Sequence, residues 1–172
     1  LSNVAVAVHP ELTYVKLRLD AWQGAEPESV ILAADRVAAV IGERPAYELW
    51  RMQGAEMAGW RYQRLYDFAP AQPGTKIAEV ILADFVSAED GTGLVHIAPA
   101  YGADDYEAGR AQKLAMLDLV GPDGKVRPVA APFAGLDFKA ADPPIMKDLA
   151  ARGIVFARST VTHSYPHCWR DH

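Results

Sequence analysis

The sequence predicts an α+β fold: a barrel-like β core, mixed or antiparallel, with helices at its periphery. Three observations carry this. Many short apolar stretches alternate with a period of two, few stretches show helical spacing, and the two kinds do not follow each other in a regular strand–helix–strand order. The 172 residues suffice for one domain with a sizeable core, and 51% hydrophobic with 23% charged residues is ordinary for a soluble globular chain.

Val4, Val6 and Val8 alternate with alanine and predict a short strand closed by His9-Pro10. Tyr14 to Leu19 alternates again, with Val15, Leu17 and Leu19 on one face and Lys16 and Arg18 on the other. Ala21 to Glu28 reads as a loop and Val30 to Ala33 as a short strand. Ala34 to Ile41 predicts a helix with Asp35 in its first turn and Gly42 as its stop. Tyr47 to Met52 reads as a strand, Gly54 to Tyr66 is ambiguous because of its glycines, and Ala69 to Thr75 is a loop. Ile77 to Val86 predicts a strong strand that Glu89-Asp90-Gly91 turns back into a strand over Leu94 to Ala98. Asp104 to Ala115 has helical spacing in Ala108, Ala111, Leu114 and Ala115. Gly121 to Lys125 predicts a turn between strands at Met116–Val120 and Val126–Val129. Asp142 is expected to cap a helix opened by Pro143 and ended at Gly153, and Ile154 to Thr162 reads as a last strand. No internal repeat or low-complexity segment interrupts this order.

Bulk properties narrow the function. A net charge of −5 argues against a large nucleic-acid footprint, although a domain that touches only the end of an RNA needs no strongly basic face. No apolar run is long enough to span a membrane and no signal peptide is present, so no membrane partner is expected. The single cysteine, Cys168, excludes an internal disulfide and agrees with a reducing, cytoplasmic location. The chain opens on Leu-Ser-Asn rather than Met, the expectation for a fragment of a longer protein.

The densest chemistry lies between Gly91 and Tyr106, in GTGLVHIAPAYGADDY. A histidine on a strand, His96, is brought by one short turn towards the carboxylates at a helix start, Asp104 and Asp105. Asp105 reads either as a carboxylate satisfying free N–H groups of the first turn or as a ligand for a cation. Asp104 is the residue expected to cap. His96, mid-strand among apolar residues, reads either as a packed ring with a backbone partner or as the wall of a pocket. Gly91-Thr92-Gly93 reads equally as an ordinary turn or as a place where backbone approaches a ligand closely. Ser2, Ser29, Ser87, Ser159 and Ser164 lie in no G-x-S-x-G elbow, so no serine triad is evident. His163, His167 and Cys168 raise a metal-dependent hydrolase as one reading, but H-x-x-x-H-C is not a standard zinc spacing and no metal site is expected.

GTGLVHIAPAYGADDY resembles the signature of the editing domain inserted into class I aminoacyl-tRNA synthetases, and specifically the isoleucyl type. The opening LSNVAVAVHPE resembles the strand leading into that domain, and HSYPHCWR, from His163 to Arg170, resembles the segment that returns to the synthetase body. The three matches keep the family's order and span residues 1–172, a single editing domain. The resemblance implies the shared valyl, isoleucyl and leucyl editing fold with a pocket at one rim. The implied activity is post-transfer proofreading, the hydrolysis of valine mischarged onto the isoleucine tRNA. A synthesis site rejects a substrate one methylene smaller by only about 1–3 kcal/mol, so a second site that admits the smaller product multiplies the discrimination.

By the same resemblance Asp105 grips the α-ammonium of the aminoacyl group, and His96 leaves room for valine while crowding isoleucine. Thr92, Ile97 and Ala98 border the place of the terminal nucleotide, and Asn3 lies at the pocket rim. The implied nucleophile is water, oriented by the ribose hydroxyl and backbone groups with no catalytic side chain assigned. The domain itself takes no cofactor, and ATP and Mg serve the parent synthetase. The implied partners are the aminoacylated 3′ end of tRNA and the synthetase body. One departure opens an alternative: the family's threonine-rich strand precedes the segment resembling Leu1 to Pro10, so this fragment is expected to be inactive if it only docks the tRNA acceptor end as a catalytically silent module.

Overall fold

The computed structural model describes residues 1–21 and 28–158. Its strands form two three-stranded sheets rather than one closed barrel among the described residues. The first sheet has β1 (Ala5–Val8) at its centre, with β5 (Glu79–Leu82) parallel on one side and β6 (Leu94–Ile97) antiparallel on the other. The second is antiparallel, with β2 (Thr13–Leu19) between β3 (Glu28–Ala33) and β4 (Ala46–Gln53). A register shift at Lys16/Leu17, whose partners are Trp50 and Glu48, marks an irregularity that leaves Leu49 of β4 without a partner on β2.

Side-chain chemistry explains why β1 is central. Val4, Ala5, Ala7 and Val8 are all buried, so both faces of the strand need cover and neither edge is left for solvent. β2 alternates more cleanly, with Val15, Leu17 and Leu19 buried and Arg18 exposed. The sheets share one apolar cluster drawn from both: Val8 and Val80 from the first, Tyr14 and Ala33 from the second, with Met57 between.

A polar seam registers one sheet on the other. The fully buried Tyr14 donates its hydroxyl proton to the Gly93 carbonyl at 2.7 Å and accepts the His9 N–H at 3.0 Å. The Ala33 N–H donates to the Thr92 carbonyl at 2.9 Å. Gly93 is required here twice: its φ is +76°, and a Cβ would fall 2.4 Å from the Ala33 Cβ.

Three helices decorate the sheets. Ala34–Arg36 forms a 3₁₀ turn that leads into α1 (Val37–Ile41), and Gly42 ends it at φ +61°, as the sequence predicts. α2 spans Ala103–Gln112 and α3 Asp142–Ala151. No helix among the described residues is long and apolar enough to cross a membrane.

Several expectations are corrected. The strand expected over Ile77 to Val86 is only four residues, because Ala78 takes φ +58° before it and the chain turns at Ala83–Val86 after it. It does not pair with β6, since β1 lies between them. α2 stops at Gln112, where Lys113 adopts φ +56° and frees Leu114 and Ala115 to join the core. The hairpin around Gly121–Lys125 keeps its turn, with the Gly121 N–H on the Lys125 carbonyl at 2.8 Å, but only the bridge Val120↔Val126 replaces the ladder. Pro128 lacks the N–H a continued strand needs and opens a 3₁₀ turn instead. Asp142 is the first residue of α3 rather than its cap, which is Ala141. No strand forms over residues 154–158, and the remainder of that expected strand lies outside the described residues.

Tyr14→Phe removes the seam's hydroxyl and leaves a buried N–H and a buried C=O without their partner. Urea unfolding should show a loss of about 1–3 kcal/mol; an unchanged midpoint would remove the seam from the stability of this fold.

Candidate functional site

The site grows from the end of β6. Alternation along the strand sends Ile97 into the core and turns His96 to the exposed face. Pro99 and the turn after it reverse the chain into α2, whose second and third residues are Asp104 and Asp105. Neither carboxylate caps the helix: the cap is Gly102, with no side-chain bond to it. Asp105 instead reaches back to the strand it follows, and its Oδ2 accepts the Ala98 N–H at 2.8 Å. Its Oδ1 takes no hydrogen bond among the described residues.

Two glycines permit this close return. A Cβ on Gly102 would meet the Asp105 carboxyl carbon at 2.9 Å, and one on Gly109 would meet Pro99 at 2.7 Å. The turn itself is tied down by Tyr101, whose hydroxyl accepts the N–H groups of Leu119 at 2.8 Å and Val120 at 2.9 Å and donates to Asp118 at 3.0 Å. Arg127 pairs with the same aspartate, and these contacts, Arg127's first, hold the Asp118 carboxyl below the usual carboxylate range.

His96 faces Asp105 and Asn3. The Asn3 amide nitrogen lies 3.4 Å from His96 Nδ1 and donates to the Ala5 carbonyl at 2.8 Å. Tyr62 donates its hydroxyl proton to Asn3 Oδ1. Although His96 is exposed at its outer edge, its ring lies against protein on the other side, and that lost hydration pushes its pKa below the ordinary value. The Asp105 carboxylate pulls it back up in part.

The structure therefore brings Asp105, His96, Asn3 and the Ala98 N–H together. It does not bring Thr92 to them: Thr92 precedes β6, four residues before His96 or about 13 Å along a strand, and its hydroxyl accepts the Leu94 N–H at 3.4 Å. The Ile97 side chain is buried in the core, so the strand offers only its backbone there. Sequence reasoning missed Tyr62, Tyr101 and Gly102. Tyr62 lies 59 residues from its partner, in a stretch whose glycines obscured any pattern, whereas Gly102 carried a signal, standing three residues before a carboxylate at a helix start. No group of three or more His, Cys, Asp or Glu able to hold a metal occurs among the described residues. His163, His167, Cys168 and the tail through Arg170 lie outside them.

The comparisons with known proteins converge. No family model matches the chain. It is 40% identical over 172 residues to the isoleucine–tRNA ligase of Thermobifida fusca, covering 100% of this chain and 16% of that ligase. The isoleucine–tRNA ligases of Thermus thermophilus and Methanosarcina mazei match 98% of the chain at 40% and 42% identity, spanning 15% and 16% of their own lengths. By structure, the chain is similar to GlLeuRS-CP1, with a TM-score of 0.64 at 13% identity over 95% of this chain and 80% of that one. The editing domain of the P. knowlesi cytosolic leucyl-tRNA synthetase gives a TM-score of 0.60 at 12% identity, over 88% and 77%. The chain therefore matches one stretch of isoleucine–tRNA ligases and has the fold of these leucyl-tRNA synthetase domains. It spans about one sixth of the length of the ligases it matches. Both structural relatives show the editing-domain fold, with the mixed helix and sheet content that the sequence predicts.

The lowered pKa of His96 fixes a pH signature. The folded state resists protonating this ring, so the unfolded chain binds the proton first as pH falls. The resulting stability is complete above the unfolded value of about 6.5 and is lost as pH drops below it. Thermal unfolding across that window should show a His96→Gln variant with a shallower pH slope than the parent; identical slopes would mean the ring is as hydrated as a free histidine.

Proposed function

We propose that this chain is the editing domain of a longer isoleucine–tRNA ligase and hydrolyses the ester joining valine to the isoleucine tRNA. The observation that carries the reading is the Asp105 carboxylate: one oxygen is fixed by the Ala98 N–H, the other has no partner among the described residues, and His96 lies within its electrostatic reach. A carboxylate held in this way suits the α-ammonium of an aminoacyl ester, because only its free oxygen has to be desolvated and its direction is already set.

The roles divide between the two groups. Asp105 Oδ1 takes the ammonium and orients the ester. His96 stands beside it and limits the side chain to about the size of valine, so that the cognate isoleucine is spared. Water is the nucleophile, placed by the substrate's ribose hydroxyl and by backbone groups at the end of β6, including Ala98. Thr92, at the other end of β6, serves the nucleotide flanking the ester, and Asn3 forms the rim on which His96 rests. The domain needs no cofactor, while ATP and Mg serve synthesis elsewhere in the parent ligase. Its partners are the aminoacylated 3′ end of the tRNA and the ligase body, in the cytoplasm.

Deacylation of valyl-tRNA(Ile) tests this directly, in the 172-residue chain and in the full ligase. An ammonium–carboxylate bond of about 1.5–3 kcal/mol predicts that Asp105→Ala slows clearance about 10- to 150-fold. Equal rates for parent and variant would overturn the assignment. Saturable binding of a non-hydrolysable valyl-adenosine analogue by the chain, with no turnover of valyl-tRNA in either protein, would instead make the domain a docking module.

The size filter has its own readout. His96→Ala should raise deacylation of cognate isoleucyl-tRNA(Ile) by roughly 10-fold or more while valyl-tRNA is still cleared. A variant that continues to spare isoleucyl-tRNA would place the wall on another residue.

A further inference from the structure

Tyr62, Asn3 and His96 form a relay of side chains that ends beside Asp105. We infer that Tyr62 is a positioning residue: its hydroxyl fixes which way the Asn3 amide faces, and the amide in turn holds His96 as the tautomer with its proton on Nε2.

The inference follows from counting donors and acceptors. Tyr62 has one proton to give, and it gives it to Asn3 Oδ1. Burial raises the Tyr62 pKa to about 12, so that proton stays in place across the physiological range. The Ala5 carbonyl can only accept, and it takes one hydrogen of Asn3 Nδ2 at 2.8 Å. Two independent neighbours thus demand the same amide orientation. The second Nδ2 hydrogen is left facing His96 Nδ1 at 3.4 Å, where only a lone pair can receive it. His96 must then carry its proton on Nε2. A doubly protonated ring would set N–H against N–H.

Tyr62 is itself held by backbone rather than by chance. Its N–H donates to the Ala78 carbonyl at 3.1 Å, and the Ala78 N–H donates to the Val4 carbonyl at 2.7 Å, next to Asn3. Ala78 adopts φ +58°, a conformation that costs a non-glycine residue energy and survives only where its surroundings demand it. Among the described residues the side-chain charge facing His96 is Asp105 from α2, which favours protonation.

The functional consequence rests on the editing reading. A neutral ring leaves the Asp105 charge undivided for a substrate ammonium, whereas an imidazolium would compete for it. The Nε2 proton also points away from the relay, leaving His96 a donor on its free side.

The test reads the ring itself, with no ligand. In the 172-residue chain, ¹⁵N NMR of His96 should show Nδ1 unprotonated. Tyr62→Phe keeps the ring packing and removes one of the two bonds that orient the amide, so the turned form, with Oδ1 facing His96, gains population against the remaining demand of the Ala5 carbonyl. The Nδ1–H form should grow and the His96 pKa should rise. A tautomer ratio unchanged in Tyr62→Phe would overturn the inference, even if the pKa drifts towards its ordinary value, because simple loosening does that. Asn3→Asp is the second variant: a carboxylate can only accept, so it should force Nδ1–H and raise the pKa by about one unit or more. Valyl-tRNA clearance by that variant should fall further at pH 6 than at pH 8. A tautomer shift without any change in clearance would uphold the relay and count against the editing reading, so the two fail separately.

Discussion

One hydroxyl, that of Tyr14, sets the relation between the two sheets, and the functional site inherits that relation. It joins the end of β1, the start of β2 and the turn before β6 through two hydrogen bonds, the one to Gly93 fully buried. Each sheet has only three strands and little area of its own. What makes them one core is the cluster of Val8, Tyr14, Ala33, Met57 and Val80, and its registry comes from directional bonds rather than from apolar contact. Because β6 leaves that seam at Gly93 and arrives at His96 three residues later, the orientation of the sheet pair is also the orientation of the imidazole.

At the site the deciding feature is that Asp105 does two jobs with two oxygens. Oδ2 stabilises the main chain where Pro99 interrupts the strand, and Oδ1 remains available. A free carboxylate on a flexible loop would lose more freedom on binding a cation than this one does. The glycines at 102 and 109 are the geometric condition for it, since a Cβ at 102 would displace the Asp105 carboxyl and one at 109 would press on Pro99 at the strand end. Exposure of His96 and tight packing of Ile97 on successive residues give the same strand one face towards Asp105 and another towards the core.

Much of this was legible in the sequence, and the limits have physical causes. Alternation in β1 and β2 and short apolar runs elsewhere located five of the six described strands within a residue or two, and glycine and proline located the ends of α1 and α3, because these signals are local. The partners of those strands were not legible: β5 and β6 look like a hairpin along the chain, and nothing local announces that β1 inserts between them. His96 and Asp105 could be brought together because a single short turn separates them. Tyr62 and Asn3 could not, being 59 residues apart and brought into contact by the folded backbone of Ala78 and Val4. The expected caps at Asp104 and Asp142 failed for a related reason: residue type suggests a cap, but the tertiary structure decides which N–H a carboxylate meets.

The parallel pairing of β1 with β5 sets Ala5 beside Glu79. Such an arrangement ties β1 to a strand that leaves the ribosome much later, and the entropy of closing so long a loop has to be recovered all at once. The antiparallel trio of β2, β3 and β4, contained between Thr13 and Gln53, carries no comparable debt. During synthesis β1 therefore stays an unmatched edge until β5 and β6 emerge, and His96 meets Asp105 only in a polypeptide already translated past α2.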